Sequence, residues 1–196
     1  MSEFWLYFRL GLEHVLDWSA YDHVLFIIVL VAAYSFSSWK RVLWLVSIFT
    51  LGHTVSLFLA VYDVVKVNAS WVELLIALTI LFTAFYNILS AKKKEHQKNI
   101  NILYLSTAFF GIIHGLGFSR YFKMISPDSS NKFLPLIEFA LGIEAAQIIV
   151  VISVLIVSFI LQKLFRVTRR DWILVISAIV IGILLPILKE TIEAVW

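Results

Sequence analysis

The chain alternates between long apolar runs and short polar breaks, and the runs are long enough to decide the architecture. Crossing ~30 Å of hydrocarbon takes about 20 mainly apolar residues in a helix. Six runs approach or exceed that length, at about 20–36, 42–61, 71–89, 102–118, 134–165 and 172–188. The fifth is too long to be a span alone and predicts a tilted helix or one that projects from the bilayer. Pro186 near the end of the sixth is expected to kink or stop it. Before these runs, residues 4–16 have a helical pattern too short to cross, which predicts an interfacial or half-inserted helix against the bundle. Ser38, Asn68 and Asn131 mark turns, and AKKKEHQKN (91–99), with His96, reads as a solvated loop. The pattern predicts an all-α polytopic membrane protein of about six transmembrane helices plus a short N-terminal helix. Residues 1–196 are expected to form a single integral membrane domain. No internal repeat is visible, so an inverted-repeat transporter has no support.

Composition agrees. Hydrophobic residues make up 61% of the 196 and charged residues 15%, with mean hydropathy +0.94; a soluble domain is nearer half apolar and a quarter charged. The net charge of +3 suggests an anionic partner only if it is concentrated, and here the basic residues sit between apolar runs, where they set topology. No nucleic-acid motif is present. The loops after spans one, three and five carry ten basic residues: Lys40, Arg41, Lys92, Lys93, Lys94, Lys98, Lys163, Arg166, Arg169 and Arg170. The other side has six: Arg9, Lys66, Arg120, Lys123, Lys132 and Lys189. That bias predicts a cytoplasmic first group and both termini outside the cytoplasmic membrane. There are no cysteines, which excludes disulfides, thiolate metal sites and cysteine nucleophiles. The start, MSEFWLYFRLGLEHVLDW, has no basic n-region or small-residue cleavage site and is expected to be mature sequence.

Ionisable groups within a bilayer are costly and call for a functional explanation. On the predicted topology they fall together in the outer half. His14, Asp22 and His23 lie at the outer end of the first span, and His53 and His114 near the outer ends of the second and fourth. Glu73 starts the third span, and Glu138, Glu144 and Gln147 enter the fifth from outside. Asp22 and His23 alone would pass for a helix N-terminal cap, Glu73 for a first-turn acid, and His14 and Glu138 for interfacial residues. His53, His114 and Glu144 are harder to explain so, a helix-gluing polar network being their plainer alternative. Several imidazoles with carboxylates make a nitrogen/oxygen set suited to nickel, cobalt, zinc, manganese or copper(II). Some of Asp22, Glu73, Glu138 and Glu144 would orient histidines rather than bind the ion. Thr50 and Gln147 are further candidate ligands.

Small residues accompany the candidate ligands. Gly111 and Gly115 flank His114 on one helical face, Gly117 follows, Gly52 precedes His53, and Gly142 lies two before Glu144. Small residues at such spacing let helix backbones approach closely.

Five segments in order resemble the HupE/UreJ family of bacterial membrane proteins: GLEHVLDWSAYDHVLF (11–26), IFTLGHTVSL (48–57), SWVELLIALTI (70–80), FFGIIHGLGFS (109–119) and EFALGIEAAQ (138–147). The resemblance implies a secondary transporter for nickel or cobalt. It places His14, Asp22 and His23 in an N-terminal His…Asp-His motif, His114 in the His-Gly motif and Glu144 in the acidic motif of the fifth helix. The gap between His14 and Asp22 is wider than in the best-known nickel-permease branch, and Ala140 stands where an Asn is often found, so the match is to the broader branch. The expected metal site is His14, Asp22, His23, His53, His114 and Glu144, for nickel, cobalt or zinc. The alternative is an intramembrane zinc-type hydrolase with Glu73, Glu138 or Glu144 as general base. A third reading is a metal-stabilised accessory subunit of a larger membrane complex. Expected partners are the metal ion and the lipid bilayer, with an oligomer or larger complex allowed and no nucleic acid.

Overall fold

The structure, a computed structural model, describes residues 3–17, 21–93, 100–125 and 132–196. Lys94, Lys98 and His96 of the lysine-rich loop, the turn at Asn131 and the expected start of the first span at residue 20 lie outside the described residues. The described chain is all-helical: α1 (Glu3–Leu16), α2 (Asp22–Ala32), α3 (Trp39–Val61), α4 (Ala69–Ser90), α5 (Ile100–Ile125), α6 (Phe133–Lys163) and α7 (Arg169–Glu193), with a 3-10 turn at Phe36–Ser38.

Local chemistry sets several boundaries. Asn68 caps α4, its side chain accepting from the Ser70 N–H at 2.9 Å. Thr168 caps α7 reciprocally: its hydroxyl accepts from the Asp171 N–H at 3.1 Å and donates to the Asp171 carboxylate at 2.7 Å. α3 and α6 are followed by the left-handed residues Asp63 (φ 58°) and Arg166 (φ 56°), which end the helices without a glycine. Lys123 of α5 donates to Asp63 at 2.7 Å, tying α3 to α5 outside the apolar segments. That bond and the ammonium charge hold the Asp63 carboxyl below its ordinary range.

Four helical stretches among the described residues are long and apolar enough to cross a membrane: Phe36–Val61, Ala69–Ser90, Phe133–Lys163 and Arg169–Glu193. Large apolar side chains point outward from the bundle, including Trp44 (65% exposed), Leu105 (74%) and Leu89 (82%). Surfaces of this kind are matched by lipid, not water.

One expectation needs correction. The first predicted span is, in its described part, only the 11-residue α2. At 1.5 Å per residue it covers about 16 Å, roughly half the hydrocarbon thickness. It is apolar because the bundle surrounds it: Leu25, Phe26, Ile27 and Val29 to Ala32 are all buried. Its carbonyls are served by neighbours, Val29 by the Asn87 amide at 2.5 Å and Ala33 by Arg169 at 2.6 Å. Of the two outcomes expected at Pro186, a kink or a stop, the stop does not occur, since α7 continues to Glu193. The proline's missing N–H leaves the carbonyl of residue 182, and that residue is a glycine with open space beside it, so the backbone can adjust there.

The most extensive pairings are α3 with α5, α1 with α6 and α4 with α7. In the first two, glycines put backbone against backbone. A Cβ at Gly52 would overlap the Ala108 carbonyl, one at Gly111 the Phe49 carbonyl, and one at Gly115 the His53 carbonyl. Across the α1–α6 pair, a Cβ at Gly142 would overlap the Phe8 carbonyl and one at Gly11 the Phe139 carbonyl. Gly117 differs: its nearest neighbours are side-chain tips of Ile76 and Val72. Gly111→Ala should therefore destabilise the protein by about 1–3 kcal/mol. Gly182→Ala, facing open space, should be neutral or stabilising by up to ~1 kcal/mol. Thermal unfolding of both variants in detergent checks this; equal shifts would show that the α3–α5 backbone contact does not limit packing.

Candidate metal centre

Helix ends and helix crossings converge on four imidazoles. His14 comes from the last turn of α1, His23 from the first turn of α2, His53 from α3 and His114 from α5. His23 is central, with ring centroids 4.7 Å from His14, 5.6 Å from His53 and 5.2 Å from His114. One nitrogen from each of His14, His23 and His53 can be chosen so that all three lie within 4.8 Å of one another. Metal–nitrogen bonds of ~2.1 Å would set ligand nitrogens about 3.0–3.4 Å apart, so side-chain rotation of roughly an ångström completes such a triad.

The hydrogen bonds around the rings fix which nitrogens are available. His23 Nδ1 lies 3.1 Å from Asp22 Oδ1. A carboxylate accepts, so Nδ1 carries the proton and Nε2 keeps its lone pair. Asp22 Oδ1 also accepts from the His23 backbone N–H at 2.9 Å, which holds the carboxylate in place. His114 Nδ1 donates to the Phe110 carbonyl one turn back at 2.8 Å, again freeing Nε2. Among the described residues, five buried ring nitrogens have no hydrogen-bond partner: Nε2 of His14, His23 and His114, and both nitrogens of His53. His53 is 0% exposed and His114 1%. A buried polar atom left unpaired costs about 1–3 kcal/mol, and neutral imidazoles with inward lone pairs are the donor set a transition-metal ion needs.

Aromatic rings enclose the cluster. Phe118 lies 3.8 Å from the His14 ring, Phe49 5.1 Å from that of His114, and Phe26 5.5 Å from the same ring. Phe49 is four residues before His53 on α3, and Phe118, four after His114 on α5, reaches across to His14. Sequence reasoning singled out neither, and it also missed Gly11.

The other candidates are placed differently. Asp22 joins the cluster through His23. Glu144 accepts from the Ser47 hydroxyl at 2.5 Å, and Gln147 from the Thr50 hydroxyl at 2.7 Å. These two rungs join α3 to α6 one helical turn apart, and Ser47, Thr50 and His53 follow one another at three-residue intervals on α3. Glu138 is buried on α6. Glu73 is exposed and lines a cavity of about 1130 Å³ shared with His14, Asp22, His23 and His114. Of the three carboxylates considered as a general base, Glu73 is the one that faces this cavity.

No curated protein and no solved structure gives a significant match to the chain. A family model described as HupE / UreJ protein matches residues 1–188. That span takes in all four histidines of the cluster, Asp22 and the α3–α6 rungs, and the chain belongs to the HupE / UreJ family.

Proposed function

We propose that residues 1–196 form one integral domain of a bacterial inner-membrane permease carrying a divalent transition metal such as nickel, cobalt or zinc. The observation that carries this reading is the set of five buried, unpartnered imidazole nitrogens on four converging histidines. The family's link to nickel and cobalt transport supports it. His14, His23, His53 and His114 bind the ion, and Asp22 orients His23 and helps to neutralise the bound charge. The basic-residue bias supports a site toward the periplasmic side, with both termini periplasmic. Six membrane segments are retained, α2 crossing together with its flanking residues and α1 lying against α6.

Transport also needs polar groups deeper than the binding site. The rungs Thr50–Gln147 and Ser47–Glu144 supply them along α3, starting one turn from His53. Buried Thr79, Thr83, Asn87 and Ser90 form a second polar stripe on α4. Glu144 in this reading is a station on the way through and not part of the histidine site.

The test of the site is metal content of purified protein by elemental analysis. His53→Ala and His114→Ala should lose bound nickel or zinc, and Asp22→Asn should weaken affinity about 10–100-fold. Unchanged metal content in all three, at equal yield, would sink the proposal. Ser47→Ala and Glu144→Gln should keep the metal yet slow uptake of labelled nickel into cells or proteoliposomes by roughly tenfold. That corresponds to loss of a hydrogen bond to a charged group worth about 1.5–3 kcal/mol. Loss of binding in Glu144→Gln would instead make Glu144 a ligand.

A further inference from the structure

The cavity beside the histidines is far larger than an ion requires. An ion with six waters occupies about 180 Å³, at ~30 Å³ per water, whereas the cavity holds about 1130 Å³. Small organic ligands occupy sites of ~300–1,000 Å³. Much of the wall is aliphatic, with Leu16, Leu25, Ile76, Ile80, Leu184 and Ile187 contributed by four helices, α1, α2, α4 and α7. Aliphatic walls offer nothing to a hydrated dication, since they replace none of its water. They do offer contact to an organic body.

Charge narrows the class. The cavity lining contains five carboxylates, Glu13, Asp17, Asp22, Glu73 and Glu190, and no lysine or arginine among the described residues. Glu13 is paired with Arg9 at 2.7 Å. A wall whose charged side chains are carboxylates repels phosphate-headed lipids and metal complexes of polycarboxylates, and concentrates cations. Acidic residues alone would say little. Here the buried Nε2 atoms of His23 and His114 have no partner, and both residues line the same cavity.

We infer that the protein takes its metal as a complex with a small nitrogen/oxygen chelator carrying net positive charge, an amino-acid-like ligand, and not as the bare aqua ion. This rests on the permease reading of the histidine site. The chelator occupies the apolar cavity and holds one side of the ion. His14, His23 and His114 meet the ion's remaining positions from the cavity wall, while His53, which does not line the cavity, closes the site from behind. A dication with one amino-acid anion is a monocation and satisfies both wall and charge. The citrate complex, a monoanion, fails on charge.

Equilibrium dialysis of the purified full-length protein in nanodiscs tests this with radioactive nickel supplied three ways: as the chloride, with carbon-14 histidine, and with carbon-14 citrate. The expected result is co-retention of nickel and histidine in equal amounts, on the order of tenfold tighter than nickel chloride, with citrate excluded. Glu73→Gln/Glu190→Gln should shrink the preference for histidine over citrate by roughly tenfold. Nickel retained without carbon-14, as for an aqua ion or a cavity filled by an acyl chain, overturns the inference and leaves the permease reading standing. So does citrate retained as well as histidine, or histidine retained equally without nickel. No nickel retained in any arm overturns the permease reading and this inference with it.

Discussion

Where α3 crosses α5, the carbonyls of Phe49 and His53 occupy the space that side chains at 111 and 115 would otherwise need. Only helices stripped of Cβ at those positions can come so close, and in lipid such contact is a main source of helix association. His53 and His114 are carried on these two backbones, so the distance between the helices sets the distance between the rings. The α1–α6 pair repeats the device with Gly11 and Gly142, and through it the C-terminal end of α1 brings His14 to the same place. Imidazole is a short side chain. Its convergence from four helices depends on this backbone contact.

The second constraint is electrostatic. Apolar burial removes water from the rings, and hydrogen bonds to Asp22 and to the Phe110 carbonyl then fix which nitrogen of His23 and His114 keeps a proton. The lone pairs that remain point inward among aromatic rings. A structural polar network would have closed on itself, as Ser47 with Glu144 and Thr50 with Gln147 do. A satisfied pair of rungs and an unsatisfied ring cluster lie one turn apart on α3, and the metal-site reading rests on that contrast.

Much of the fold was legible in the chain. Run length alone gives α3, α4, α6 and α7 within a few residues of their observed ends, because hydrocarbon thickness imposes a length that few other constraints share. α2 was not legible in the same way. Its described helix is as apolar as a span and far too short to be one, and a run of apolar residues reads alike whether lipid or protein surrounds it. The histidines and Asp22 were legible as candidates since an ionisable group in an apolar run is expensive wherever it lies. Glu144 was legible as polar, but its partner was not, because nothing local shows that Ser47, 97 residues away, would donate to it.

By itself, then, the sequence determined the solvent, the approximate lengths of α3, α4, α6 and α7 and the identity of the buried imidazoles, all of which follow from transfer free energies read residue by residue. Only the tertiary structure decided which nitrogens are left unpaired, that α2 is wrapped by its neighbours, and that a large acidic, aliphatic cavity opens on the ring cluster. Those properties belong to distances between segments far apart in the chain, and no single segment's composition or period carries them.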